Sequence, residues 1–148
     1  MNKTLIRIMV ILTAIICMAA FFACDPPVEE GDKSITVIIL KSDHTADIYQ
    51  ENTDALYLGK ALDEMIEEGD ITNEYSMYGK DRFITAIGSL QPQAPSWIGI
   101  YTDDEKDPLL INKEFTVTFE GKTYYSTNYG SDDMPLHDGT AYLFTISE

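Results

Sequence analysis

Residues able to do chemistry are few in this sequence. It holds two histidines, His44 and His137, and two cysteines, Cys17 and Cys24, among 148 residues. His137 is followed directly by Asp138, and an acid beside an imidazole can orient a general base for a Ser or Thr nucleophile. The spacing supplies no third member, and Asp138-Gly139 reads more simply as a turn. There is no Gly-x-Ser-x-Gly elbow and no phosphate-binding Gly loop. These residues therefore argue against an enzyme. Asp103, Glu105 and Asp107 alternate as the ligands of a calcium loop do, but Pro108 stands where such a loop needs Gly, and no closing Glu follows. Asp132, Asp133 and Asp138 form a second acidic loop. Acidic runs of this kind are ordinarily solvated, so no metal ligand is assigned to either.

Aromatic residues are the better candidates. Trp97, Tyr101, Tyr124, Tyr125, Tyr129 and Tyr142 offer flat contact surfaces, most with a polar tip, of the kind that ligand and protein interfaces favour. Trp97 and Tyr142 fall on alternating strand patterns, where a core role competes with a binding role. Tyr125 and Tyr129 fall in or near loops. The candidate ligand-binding set is Trp97, Tyr101, Tyr125 and Tyr129.

Charge narrows the partners. With 10 Lys and Arg against 25 Asp and Glu, the net charge is -15, and two of the cations, Lys3 and Arg7, lie in an N-terminal stretch without acids. Nucleic-acid backbones and anionic lipid surfaces would repel such a domain. A composition 45% hydrophobic and 11% aromatic is too apolar for a disordered acidic tail and sufficient for one packed core.

The N-terminus reads as an address. A basic start, Met1 to Arg7, precedes the apolar run Ile8 to Ala23, which is a signal-peptide pattern over residues 1–23. The run is marginal as a permanent span, which needs about 20 apolar residues. Phe21-Phe22-Ala23-Cys24 resembles the lipobox of bacterial lipoproteins, with small Ala23 before the Cys and with Phe21 and Phe22 in place of the usual aliphatic and small pair. The resemblance implies lipidation of Cys24 and an extracytoplasmic domain anchored to the bacterial cell membrane. An uncleaved anchor and a freely secreted domain are the alternatives. Asp25 after the Cys resembles an inner-membrane retention signal, which has meaning only in a cell with two membranes. Residues 24–33, with Pro26-Pro27, Glu29, Glu30 and Asp32, read as a polar tether, leaving 34–148 as the domain.

The elements that must position the candidates follow from periodicity. Ser34 to Leu40 is β-branched and apolar on both alternating faces, as in a central strand buried on each side. Ala46 to Glu51 reads as a shorter second strand. Leu58, Ala61, Leu62, Met65 and Ile66 recur at helical spacing, with Lys60, Asp63, Glu64, Glu67 and Glu68 opposite and Gly69 at the end, which predicts an amphipathic helix from Tyr57 to Glu68 with a solvated acidic face. Gly59 in its first turn suggests close approach of the helix to the sheet. Arg82 to Ile87, Trp97 to Thr102, Glu114 to Glu120, Lys122 to Ser126 and Thr140 to Ile146 read as strands, with Glu120-Gly121 as a hairpin turn. Phe115, Val117 and Phe119 share one face, as do Tyr142, Phe144 and Ile146. The layout is α+β, a sheet covered by a single helix.

The motif order is similar to that of the transcobalamin C-terminal-like domain, found in many bacterial lipoproteins of unknown function. The residues that carry the likeness are Tyr57-Leu58-Gly59-Lys60-Ala61-Leu62, Tyr78-Gly79 with Phe83-Ile84-Thr85-Ala86-Ile87-Gly88, Ser96-Trp97-Ile98-Gly99-Ile100-Tyr101, and Pro135-Leu136-His137-Asp138-Gly139-Thr140-Ala141-Tyr142. The resemblance implies a ubiquitin-like β-grasp with a mixed sheet, and binding in place of catalysis, with a corrinoid or related cobalamin-like small molecule as the ligand class. The helical barrel that completes the cobalamin site in the transcobalamin group is absent from this sequence. A cell-surface interaction or adhesion module with no small-molecule ligand is the alternative.

Overall fold

The computed structural model describes residues 28–148; the signal segment 1–23 and the proposed lipid site Cys24 lie outside the described residues. The two-faced apolar strand β1 (Lys33–Leu40) sits where its pattern requires. Ile35, Val37 and Ile39 enter the main core on one side of the sheet, and Ile38 and Leu40 enter a second cluster on the other. Such burial on both faces demands neighbours on both edges. β2 (Ala46–Thr53) pairs antiparallel on one edge and β8 (Ala141–Ser147) pairs parallel on the other. Beyond β8 follow β5 (Trp97–Thr102), β7 (Lys122–Thr127) and β6 (Ile111–Phe119), giving a six-stranded mixed sheet in the order β2-β1-β8-β5-β7-β6.

A single helix, α1 (Leu58–Glu68), covers one face of this sheet. Leu58, Ala61, Leu62 and Met65 are fully buried against β1 and β8 residues, so the helical period has the partner face it predicts. The helix end is a Schellman cap. Gly69, at φ 87°, donates its N–H to Ile66, and Asp70 N–H bonds to Met65 O at 2.9 Å. The helix start has no side-chain cap. Its free N–H groups are satisfied from far along the chain, Leu58 by Met134 O at 2.9 Å and Gly59 by Ser131 O at 2.7 Å, which seats the segment before β8 on the first turn. Among the described residues the protein is thus mostly β with one helix, an α+β fold.

Several elements differ from the sequence expectation. A hairpin of β3 (Asn73–Tyr78) and β4 (Asp81–Ile87) forms its own two-stranded sheet, and β3 carries too little apolar alternation to be read as a strand. In β6 the register shifts between Asn112 and Thr116, so Phe115 bulges out and is exposed while Val117 and Phe119 pack on the second cluster. In β8, Tyr142 and Phe144 are buried, but Ile146 is exposed near the strand end. Lys33, expected in the tether, begins β1 buried, its Nζ donating to Gly31 O at 2.8 Å and Ala55 O at 3.1 Å. The helix's acidic face is only partly solvated: Asp63 and Glu64 are half-buried, and Glu64 Oε2 accepts from Thr53 Oγ1 at 2.6 Å. Among the described residues no helix is long and apolar enough to span a bilayer.

Truncating Leu62 to Ala removes buried methyls at the centre of the helix–sheet contact, so urea unfolding should show a loss of about 2–5 kcal/mol. The exposed Glu67→Ala should leave the midpoint unchanged.

Candidate functional site

The hairpin β3–β4, whose Ile84 and Ile87 pack on the main core, is also clamped to the helix and to the segment before β8 by one guanidinium. Arg82, on β4, directs Nη1 to Asp63 of α1 at 2.9 and 3.1 Å, and Nε and Nη2 to Asp132 of the segment before β8 at 3.0 and 2.6 Å. Its face lies 4.5 Å from the centre of the Tyr75 ring. Hydrogen bonds donated to the two carboxylates, Asp132 first, hold the guanidinium pKa above its usual range. Tyr75, whose hydroxyl bonds Asp63 at 3.4 Å and accepts from Asn73 Nδ2 at 2.9 Å, is pushed up to about 12 by burial and then by the Asp63 charge. Gly59 makes room for this arrangement. A Cβ there would collide with Asp132 Oδ1 and stand 3.0 Å from Arg82 Nη2, so its missing side chain admits the ion pair against the helix and not the sheet. The Asp132 carboxylate also lies against the first turn of α1, where the helix dipole favours an anion.

The clamp leaves an open cleft of about 940 Å³ between the hairpin, β5 and residues 126–133. Met77, Tyr78 and Phe83 rise from the hairpin at 63, 77 and 55% exposure, and Tyr78 meets Phe83 edge to face with ring centres 6.1 Å apart. Ile98 and Ile100 contribute the sheet side. Ser131 belongs to the wall and is buried, with no hydrogen-bond partner for its Oγ among the described residues.

Of the four aromatic candidates, the structure brings two to this cleft. Trp97 lines it and is 53% exposed, so the core role considered for it does not hold. Tyr129 lines it half-buried. Tyr101 lies on the other face of the sheet, its ring over Gly99 and its hydroxyl bonded to Ser147 Oγ at 3.0 Å. Tyr125 packs on the main core beneath Lys113 and does not line the cleft. Tyr124 and Tyr142 are core residues of the two clusters. Tyr78, on the unexpected strand β3, and Phe83, on the expected strand at Arg82 to Ile87, line the cleft without being sequence candidates; the two-residue link Gly79-Lys80 between aromatic-rich flanks is the signal that marks them as a hairpin.

The polar candidates are rearranged too. His137 pairs through Nδ1 with Asp104 Oδ2, both buried, and not with Asp138, whose carboxylate accepts from Ser34 N at 2.8 Å. Tyr142 hydroxyl donates to Pro135 O at 3.0 Å beside this pair, and burial pushes its pKa above the usual tyrosine range. The expected acidic loops are not wholly solvated. Asp103 pairs with Lys122, Glu105 with Lys113 at 2.7 Å, and Asp107 accepts from Leu109 N at 2.8 Å. A different trio, Glu51 of β2 with Glu68 and Asp70 at the helix end, places ligand atoms within 4.8 Å of one another and could hold a metal ion. Glu51 is held above its ordinary range by burial first and by Glu68 next. The trio spans a strand and a helix terminus, so no local spacing announces it.

Fold and cleft define a mixed-sheet α+β domain with one covering helix and an aromatic-walled groove. No protein-family model matches the chain, and no curated protein matches it. Among solved structures it is similar to a crystal structure from Ruminococcus gnavus ATCC 29149 described as a "putative metal binding protein". The two share 25% identity with a TM-score of 0.51, covering 78% of this chain and 97% of the other.

Replacing Arg82 with Met leaves Asp63 and Asp132 facing each other. The expected loss is about 1–2 kcal/mol, the pairs being partly exposed, with amide-exchange protection falling first in β3–β4.

Proposed function

We propose that this chain is a non-catalytic binding module that takes a small molecule in the cleft between β3–β4 and β5. The observation that carries the reading is the cleft itself, about 940 Å³ with large aromatic side chains left in solvent around it. Its size lies within the range of about 300–1,000 Å³ typical of small-molecule sites, and monomers seldom leave such a patch without use. In this reading the fold is a ubiquitin-like β-grasp of the transcobalamin C-terminal-like kind. Support comes from the parallel pairing of the first and last strands at the centre of the sheet and from the one helix after the first hairpin. The ligand class that this resemblance suggests is a corrinoid or related molecule, and the N-terminal motif suggests a module anchored outside the cytoplasm through lipid on Cys24.

Trp97 is the only tryptophan and lines the cleft, so its fluorescence reports on occupancy. Titrating the full chain with cobalamins should give a saturable fluorescence change and calorimetric heat. The Tyr78→Ala, Phe83→Ala double variant should weaken binding by about 10-fold or more. Absence of any response at high micromolar cobalamin would exclude the corrinoid.

A second reading is divalent-cation binding at Glu51, Glu68 and Asp70, favoured by their proximity and by the description of the Ruminococcus neighbour. Glu51 has its folded pKa raised, so its contribution to stability is present below the unfolded pKa near 4.5 and is lost as pH rises through the folded value. At neutral pH its charge is a burden that a cation would relieve. Millimolar calcium or manganese should therefore raise the melting temperature, and Glu51→Gln should raise it without metal and abolish the metal response. A flat response in the unaltered protein would remove this reading.

A further inference from the structure

Resting on the small-molecule reading of the cleft, and in place of the corrinoid that the family resemblance suggests, we infer that its ligand is an organic cation, an apolar body carrying a protonated or quaternary amine. Three carboxylates, Asp81, Asp132 and Asp133, and one guanidinium, Arg82, line the cleft. Arg82 is fully engaged by Asp63 and Asp132. Among the described residues the side chains of Asp81 and Asp133 have no hydrogen-bond or ion-pair partner, so the uncompensated charge at the cleft is negative. The chain's net charge of -15 adds a long-range field of the same sign.

The ring surfaces point the same way. An aromatic face is electrostatically negative and attracts cations, most strongly where water is displaced. Elsewhere in this molecule tyrosine rings already carry one: Arg82 over Tyr75, Lys113 over Tyr125 and Lys122 over Tyr124. Among the described residues, Tyr78, Phe83, Trp97 and Tyr129 have no cation of their own. Ser131 Oγ, buried in the wall without a partner among the described residues, adds a hydrogen-bonding group that the fold leaves unused. Anions meet the opposite conditions, because the only basic side chain lining the cleft is already chelated. Aromatic surface with free carboxylates at the rim is the chemistry that selects ammonium ligands over neutral ones of equal shape.

Three probes of similar body separate charge from shape: benzyltrimethylammonium, benzyl alcohol and phenylacetate, titrated into the full chain and followed by Trp97 fluorescence and calorimetry. The cation should bind at least about 10-fold more tightly than the other two, and added salt should weaken it. Asp81→Asn with Asp133→Asn should reduce its affinity several-fold, with the melting temperature retained as evidence of folding. Phe83→Leu, which keeps an apolar side chain and removes the ring, should weaken the cation more than benzyl alcohol. Equal or tighter binding of the alcohol or phenylacetate, lost in the Tyr78→Ala, Phe83→Ala variant, would overturn the cation class and leave the cleft as a small-molecule site. No binding of benzyltrimethylammonium up to about 10 mM, a dissociation constant worth under about 3 kcal/mol, would also overturn it. The broader reading of the cleft would then rest on the cobalamin titration alone.

Discussion

The Arg82 guanidinium between Asp63 and Asp132 is the interaction on which the rest of the site depends. Hairpin β3–β4 is not hydrogen-bonded into the main sheet, and two strands alone are marginal in water. One planar cation, with Nη1 toward Asp63 and the Nε–Nη2 fork toward Asp132, fixes the hairpin to the helix and to the segment before β8 at once. A lysine could not span both with directed bonds, because its ammonium is a point charge. The end of β4 is anchored in the main core by Ile84 and Ile87, the clamp fixes Arg82, and the cleft lies between the hairpin tip and β5.

That clamp rests in turn on the helix. Asp63 is positioned by a helix whose opposite face is fully buried, so it cannot rotate without disrupting Leu62 and Met65. Asp132 is positioned by backbone bonds that serve the uncapped helix start, Gly59 N to Ser131 O and Leu58 N to Met134 O. A single glycine lets the two arrangements meet. The local need to satisfy orphan N–H groups at a helix end and the need to seat a remote ion pair are met by the same turn of chain.

The molecule's acidity also takes a different meaning in three dimensions. Most acids of the two loops are engaged with lysines, with Arg82 or with backbone N–H groups, and Asp104 is buried with His137. The carboxylates left over at the cleft are few, and beside the aromatic rings they define an electrostatic preference. The trio Glu51, Glu68 and Asp70 is a separate concentration of charge near the other end of the helix.

What the sequence determined by itself was whatever depends on local period. The two-faced apolar strand from Ser34 to Leu40, the helix from Tyr57 to Glu68 with its glycine end, the turn at Glu120-Gly121 and the α+β layout follow from spacing and turn chemistry within a few residues of each other. Trp97 and Tyr129 were legible as candidates by type alone. Only the tertiary structure decided which aromatics share a cleft: Trp97 and Tyr101 have the same strand parity, yet Trp97 at the start of β5 lines the cleft while Tyr101 packs on the second cluster. It also decided the partners of Arg82, His137 and Glu51. Those pairings join residues far apart in the chain, and nothing in a linear spacing encodes a distance that only packing sets.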